Sequence, residues 1–357
     1  MRAALLLDYD TPLVLDDVTP TALGEHDVRV RVDASGVCHS DLSVLQGKVK
    51  MPVPTILGHE GTGTVVEVGS GVRRAKVGDR VIVSFHPKCG TCWYCRHDHP
   101  NHCEHDFGAT VAHAHRHDGT GVMAMLGLGT FAEEVTVHEF QAVPVRSDLP
   151  PEQLALIGCA VTTGLGAALN TARVQPGSVV VVIGCGGVGQ AVIQGARIAG
   201  AARIFAIDPV ASKREQAAAF GATDLVDPDG ADAVAAVREA TGGRGADYVF
   251  EVAGLATTLA SAFKAARKGG TVTMVGMPNP EAKLDLSAFR LFSEEKRLLG
   301  CWYGSANVDR DFQRCLDLVE AGRLDVGALV SRKIGLGDLN DAFRAMLDGE
   351  VIRSVVV

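Results

Sequence analysis

Five β-branched residues, Val179 to Ile183, run directly into Gly184-Cys185-Gly186-Gly187-Val188-Gly189, and helical spacing follows from Val188 to Ala199. A β-branched run of this kind reads as a fully buried strand. Glycines at 184, 186 and 189 reproduce the G-x-G-x-x-G spacing. Between a strand and a helix, the first glycine permits the tight turn and the second lets backbone approach a pyrophosphate. The third lets the helix pack close on the strand. Gly187 and Val188 complete the turn, and the phosphates would rest on the helix amino end, where free N–H groups and the dipole favour an anion. A second strand, Arg203–Ile207, ends at Asp208, nineteen residues after Gly189. A carboxylate there accepts hydrogen bonds from a ribose hydroxyl pair and repels a 2′-phosphate, which selects NAD over NADP.

The rest of the chain is organised around that unit. Downstream, the pattern predicts helices over Ala211–Phe220, Ala231–Thr241 and roughly 256–268, with strands near Val226, over Asp247–Val252 and over Thr271–Val275. Strands alternating with helices imply a parallel, doubly wound sheet. Residues 1 to about 150 read differently. Val28-Arg29-Val30-Arg31-Val32 alternates apolar and polar, and Thr62–Val68 and Arg80–Val83 continue a β-rich pattern broken by Gly and Pro. Past residue 300 the segments are mixed, and Ser354-Val355-Val356-Val357 reads as a strand returning to the first domain. The fold class is therefore α/β with a β-rich domain. The boundaries fall at 1–157, completed by 300–357, and 158–299 for the dinucleotide-binding part.

Composition excludes several function classes. With 34 basic and 42 acidic residues the net charge is −8, the wrong balance for a phosphate-tracking nucleic-acid surface. The amino-terminal apolar run is five residues long and stops at Asp8, so neither a signal peptide nor an anchor is expected there. From Gln153 to Ala196 the only charged residue is Arg173, long enough on paper to cross a bilayer. Its glycines cluster as a turn needs them, so a buried strand–turn–helix unit is expected, with no membrane partner and a cytoplasmic location.

Nine cysteines, an odd number, argue against a disulfide framework. Cys89, Cys92, Cys95 and Cys103 lie within fifteen residues. Four thiolates at such spacing fill every position of a tetrahedral zinc, the mark of a structural site. Cys185, Cys301 and Cys315 stand alone in apolar surroundings and read as core packing. Eight of the twelve histidines fall between His86 and His117, where alternation with Ala and Arg suggests an exposed loop rather than further metal ligands.

A dispersed group remains: Gly36-Val37-Cys38-His39-Ser40, Gly58-His59-Glu60 and Gly158-Cys159. Two cysteines and a histidine form the ligand set of a catalytic zinc with an open fourth position. With the G-H-E-x2-G signature of Gly58–Gly63, the four-cysteine lobe and Gly158-Cys159 before the glycine turn, the chain resembles the zinc-dependent medium-chain alcohol dehydrogenases over its full length. The resemblance implies a GroES-like catalytic domain joined to a Rossmann domain, with the active site in the cleft between them. It also implies two zinc ions per chain, one catalytic and one structural, with NAD as coenzyme. Position by position, it assigns Cys38, His59 and Cys159 to the catalytic zinc, with Glu60 just behind or transiently on it. Asp41 orients His59, Ser40 meets the substrate oxygen, and His39 lies near the pyrophosphate. Thr163, Asp208, Lys213 and Arg353 fall on coenzyme-contacting positions.

The resemblance implies hydride transfer between a small alcohol or aldehyde and NAD, in a homodimer or homotetramer. Apolar residues at plausible pocket positions, Phe85, Leu126 and Met277, favour a medium-sized apolar or aromatic primary alcohol. The alternative within the family is a formaldehyde dehydrogenase acting on an S-hydroxymethyl thiol adduct. Zinc-free quinone reductases and non-enzymatic nucleic-acid-binding zinc proteins are opposed by the metal-ligand matches and by the acidic charge balance. One position departs from many relatives: Ser43 stands where a proton-relay histidine is expected.

Overall fold

The computed structural model describes residues 1–230 and 232–357. These fall into two compact units, Met1–Cys159 with Asn307–Gly322 and Val326–Val357, and Ala160–Ala306 with Arg323–Asp325. The units differ from the sequence-based boundaries at three places, one of them Arg323–Asp325, which joins the second unit where the Gln194 side chain exchanges two hydrogen bonds with the Asp325 backbone. Cys159 belongs to the first unit, because its thiol meets Cys38 there. Residues 300–306 belong to the second, because the strand Arg297–Gly300 extends its sheet and Gly304 packs against Gly166 so closely that a Cβ on Gly166 would lie 2.3 Å from the Gly304 carbonyl oxygen.

In the first unit the alternating segment forms the strand Asp27–Gly36. It pairs antiparallel with Glu60–Val68, with Glu134–His138 and, at its end, with Arg353–Val356. Of the apolar half of the alternation, Val28 and Val30 are fully buried and pack with Val65, Val81, Val83, Val135 and Val137, while Val32 is half-buried against them. A second sheet of six strands, starting from Arg2–Leu6, buries Leu5, Leu6, Leu57 and Phe131 against the carboxy-terminal helix residue Phe343. The final valine run returns as expected, with Val355 opposite Gly36.

The histidine-rich stretch departs from expectation. Ala112–His115 is a strand, paired with Gly121–Ala124, and not a loop. His113 turns inward, its two ring nitrogens on the carbonyl oxygens of Thr136 and Gly108. The alternation of His with Ala is thus a strand period, not loop composition.

The second unit holds six parallel strands in the order Asp224–Val226, Arg203–Ile207, Val179–Ile183, Ala246–Glu251, Ala266–Met274, Arg297–Gly300. In chain order this is 3-2-1-4-5-6, the doubly wound arrangement of a dinucleotide-binding domain. Helices Gly187–Ile198, Ala211–Phe220, Ala233–Ala240 and Ala256–Ala265 connect the strands. The helix expected over Ala231–Thr241 starts at a residue outside the described ones. The helix expected to run to 268 stops at Ala265, where Ala266 pairs with Ala246 and Gly269 and Gly270 would weaken any continuation. All nine cysteines are unbridged; Cys185 and Cys315 are fully buried, whereas Cys301 is partly exposed beside Thr171.

Among the described residues one helix, Pro151–Thr171, is long and apolar enough to cross a membrane, and 83% of its apolar window is buried inside the fold. Expected as part of a strand–turn–helix unit, the segment before Arg173 is instead this helix, and the strand and turn follow it.

The glycine turn shows two opposite steric demands. A Cβ on Gly189 would lie 1.9 Å from the Gly184 carbonyl oxygen, while one on Gly186 would meet nothing within 4 Å. Gly189→Ala should therefore cost about 1–3 kcal/mol or more by overpacking against rigid backbone, read as a lower thermal midpoint. Gly186→Ala should leave the midpoint in place and weaken coenzyme binding in a fluorescence titration.

Candidate active site and metal centres

The four-cysteine lobe is assembled locally. Gly90, at φ +77°, turns the chain after Cys89, and a single helical turn, Trp93–Arg96, starts at Cys92. Cys89 Sγ accepts N–H bonds from Thr91 and Cys92 at 3.4 and 3.3 Å, and Cys95 N–H donates to Cys92 Sγ at 3.5 Å. The four sulfurs lie within 4.8 Å of one another, Cys89 and Cys95 at 3.9 Å. A disulfide needs about 2.05 Å. Sulfurs around tetrahedral zinc, at about 2.3 Å from the metal, sit about 3.8 Å apart, so the lobe fits that ion. Burial pushes the Cys89 thiol up, but hydrogen bonds from Thr91 and Cys92 pull it down to about 6, while burial pushes Cys103 up to about 12.

The second cluster is built from four distant segments. Strand Asp27–Gly36 delivers Cys38 at the cap of the helix His39–Leu45, and strand Glu60–Val68 begins just after His59. Because Gly36 pairs with Glu60, the two segments meet at this end. Cys159 comes from a π-helical stretch, Ile157–Val161. Such widened turns often mark functional positions. Arg353 opens the returning strand. The donor atoms of Cys38, His59, Glu60 and Cys159 all lie within 4.8 Å, and all four residues are buried.

Asp41 organises this cluster. Its carboxylate accepts the Cys38 N–H at 2.9 Å, the Gly58 N–H at 3.0 Å and His59 Nδ1 at 3.1 Å. A carboxylate can only accept, so the proton of His59 sits on Nδ1 and Nε2 keeps its lone pair for a metal. Burial disfavours charge on this imidazole, yet the Asp41 carboxylate raises its pKa well above the ordinary value. Both Glu60 oxygens are buried without a hydrogen bond, although Arg353 Nη1 stands 3.5 Å from one of them. Burial pushes the Glu60 carboxyl up to about 8, against the Arg353 guanidinium. Two thiols, an oriented imidazole and a buried carboxylate left without donors fit a zinc ion with an open position. A hydrogen bond between the two thiols lowers Cys38, against burial, and raises Cys159, together with burial.

The other sequence-derived residues are placed as follows. Ser40 is half-buried, its Oγ 3.8 Å from Cys38 Sγ, and His39 is exposed at the start of the same helix. Ser43 is half-buried on that helix. Phe85 stands edge-on to His59, ring centres 5.8 Å apart. Arg353, expected from the resemblance on a coenzyme-contacting position, is buried and donates to the Val37 carbonyl at 2.9 Å.

In the second unit Gly184 takes φ +94° and Gly186 caps the helix Gly187–Ile198, whose first N–H groups have no side-chain cap. Asp208 Oδ2 accepts the Cys185 N–H at 2.7 Å and Oδ1 the Val210 N–H at 2.9 Å, which holds the carboxylate against the turn. Thr163 is buried in the helix Thr162–Gly166, and Lys213 is half-buried on Ala211–Phe220. Two roles escaped the sequence reading. Gln190, fully buried, donates to the carbonyls of Cys185 and Lys213 and ties the turn to the next helix. A Cβ on Gly36 would lie 2.3 Å from Glu60 Oε2, so only glycine leaves that carboxylate its place. A glycine two residues before a ligand cysteine was the available signal.

A chain that joins an open Cys–His–Cys centre to a dinucleotide turn is a zinc-dependent oxidoreductase using a nicotinamide coenzyme. Comparison with known proteins narrows that class. Residues 24–147 match the alcohol dehydrogenase GroES-like domain and residues 187–321 the zinc-binding dehydrogenase family. Geraniol dehydrogenase of Castellaniella defragrans is 37% identical, covering 100% of this chain and 97% of its own. The S-(hydroxymethyl)glutathione dehydrogenase of Synechocystis is 36% identical, covering 99% of each. Among solved structures, benzyl alcohol dehydrogenase of Acinetobacter calcoaceticus superposes with TM-score 0.92 at 29% identity, over 99% of this chain and 98% of that one. A Sinorhizobium meliloti protein solved with NADP bound gives 0.83 at 29% identity, over 100% and 98%. The chain belongs to the zinc-type alcohol dehydrogenase family and is an enzyme of that kind, with a small-molecule substrate.

Removing the Asp41 carboxylate would strand three buried donors. Asp41→Ala should cost about 3 kcal/mol or more, at about 1–3 kcal/mol per unsatisfied group. Asp41→Asn, which keeps one accepting oxygen, should fall between it and the wild type in thermal denaturation.

Proposed function

We propose that this enzyme transfers hydride between a medium-sized apolar or aromatic primary alcohol, or its aldehyde, and NAD. The buried Cys38–His59–Glu60–Cys159 cluster carries the reading, since its donor atoms converge within 4.8 Å. Cys38, His59 and Cys159 would hold the catalytic zinc, and Cys89, Cys92, Cys95 and Cys103 the structural one. Zinc, when bound, supplies Lewis acidity that lowers the pKa of an alcohol or polarises an aldehyde carbonyl.

The chain's own side chains do the rest. Asp41 keeps His59 in the tautomer that presents Nε2. Arg353 holds the Glu60 carboxylate behind the ligands. Ser40 would pass the hydroxyl proton of the substrate onward, releasing its own toward the coenzyme ribose and water as it accepts one; Ser43, unlike an imidazole, cannot hold a proton near neutral pH, and His39 is a less well-placed exit. Gly184, Gly186, Gly187, Val188 and Gly189 cradle the pyrophosphate, and Thr163 and Lys213 contribute further coenzyme contacts. Asp208 keeps unused lone pairs on both oxygens for the ribose hydroxyls.

Phe85 beside His59 supports an apolar pocket, as do the names of the geraniol and benzyl alcohol dehydrogenases that this chain resembles. Leu126 and Met277 are the other apolar candidates. Likeness to an S-(hydroxymethyl)glutathione dehydrogenase keeps the thiol-adduct reaction as the second reading. A homodimer or homotetramer is part of the proposal, supported by the edge strand Arg297–Gly300 and by Phe289 and Phe292, 74% and 81% exposed.

Steady-state rates across alcohols of graded size, with S-hydroxymethylglutathione included, test the substrate reading. The proposal expects the highest kcat/KM for an apolar or aromatic primary alcohol, lowered about 10²–10⁴-fold by Ser40→Ala. A preference for the glutathione adduct would replace it by the second reading. Metal analysis should find two zinc ions per chain. Cys159→Ala should lose one with nearly all activity while staying folded, and Cys95→Ala should lose the other and melt earlier. One zinc in fully loaded wild type would remove the two-site assignment. For the coenzyme, Asp208→Ala should narrow the preference for NAD over NADP mainly through KM for NAD. Equal use of both by the wild type would contradict the role given to Asp208.

A further inference from the structure

The second unit carries an open cavity of about 750 Å³ that the hydride-transfer chemistry does not use. Its wall includes five cationic side chains, Arg238, Arg244, Arg267, Lys268 and Arg290, and two acids, Asp247 and Glu294. Arg244 lies just before the strand Ala246–Glu251, and Arg267 and Lys268 lie in the opening of Ala266–Met274. The cavity therefore sits at the amino ends of the parallel strands. Gly184 and Asp208 follow the carboxy ends of theirs, and a five-residue strand separates the two edges by about 17 Å.

The charges do not cancel within the cavity. Asp247 accepts Arg267 Nε at 2.5 Å on one oxygen and the Val179 N–H at 2.7 Å on the other. Glu294 accepts Arg290 Nε at 2.8 Å and Lys296 Nζ at 2.7 Å, again on different oxygens. Arg238 is spent on the backbone carbonyls of Gly243 and Lys264. Among the described residues, the Arg244 guanidinium and the Lys268 ammonium have no hydrogen bond or ion pair. Five cations against two carboxylates leave three positive charges in one concavity of a chain whose net charge is −8. A concave wall focuses such a field, and a guanidinium fork matches phosphate oxygens. The volume suits a small molecule, within the roughly 300–1,000 Å³ of ligand pockets.

We infer that this cavity binds a small organic phosphate of at least two negative charges, with Arg244 and Lys268 as its principal contacts. The chemical class is that of a nucleoside diphosphate, and the site is independent of the hydride-transfer reading. Isothermal titration calorimetry tests it on zinc-loaded enzyme saturated with NADH, so that the coenzyme turn is filled, with ADP as the probe. The expected result is one ADP per chain, bound more weakly as salt is raised. In the double variant Arg244→Ala, Lys268→Ala the ADP affinity should fall tenfold or more, with NADH affinity and alcohol oxidation unchanged. Absence of ADP binding to the NADH-saturated wild type, or equal ADP affinity in the double variant, would overturn the assignment.

Discussion

The buried carboxylate of Asp41 is the interaction on which the open centre depends. Its three donors belong to two segments, Cys38 three residues before it and Gly58–His59 17 and 18 residues after it. One side chain thus starts the helix His39–Leu45, fixes the loop before the strand Glu60–Val68 and sets the histidine tautomer. A buried charge is tolerated only when its acceptors are filled, and here they are filled by two backbone N–H groups, of Cys38 and Gly58, and by the His59 ring. Gly36 completes the arrangement by leaving room for Glu60 across the strand pair.

The two metal centres differ in how the chain makes them. The four-cysteine lobe spans fifteen residues and is pre-shaped by N–H···S bonds and a positive-φ glycine, so its geometry needs little from the surrounding fold. The Cys38, His59 and Cys159 cluster spans more than a hundred residues and exists only once the sheet, the π-helical stretch and the returning strand are in place. A closed site stabilises what surrounds it. The dispersed one draws its order from the fold.

In the second unit, sterics dominate. Close approach at Gly189 and open space at Gly186 are opposite demands satisfied by the same residue type, and Gln190 and Asp208 lock the turn from either side. The strands' two edges then carry opposite characters. At the carboxy edge Asp208 supplies an oriented carboxylate, and at the amino edge arginine and lysine outnumber the acids.

Much of this was legible in the sequence because it is local. A β-branched run, a glycine turn and a helical period are short-range signals, and so are cysteines three residues apart; the strands Val179–Ile183 and Arg203–Ile207 appear with the bounds their residues imply. Where local composition was ambiguous the reading failed: alternating His and Ala in Ala112–His115 is a strand, and the helix before Gly269 ends three residues early. Local spacing could group Cys38, His59 and Cys159 only through family resemblance. Their convergence, the pairing of Arg353 with Glu60 and the surplus of cations at the sheet's amino edge were decided by tertiary structure alone. The physical reason is that long-range strand pairing, which no short window of sequence encodes, chooses which distant side chains share a buried space.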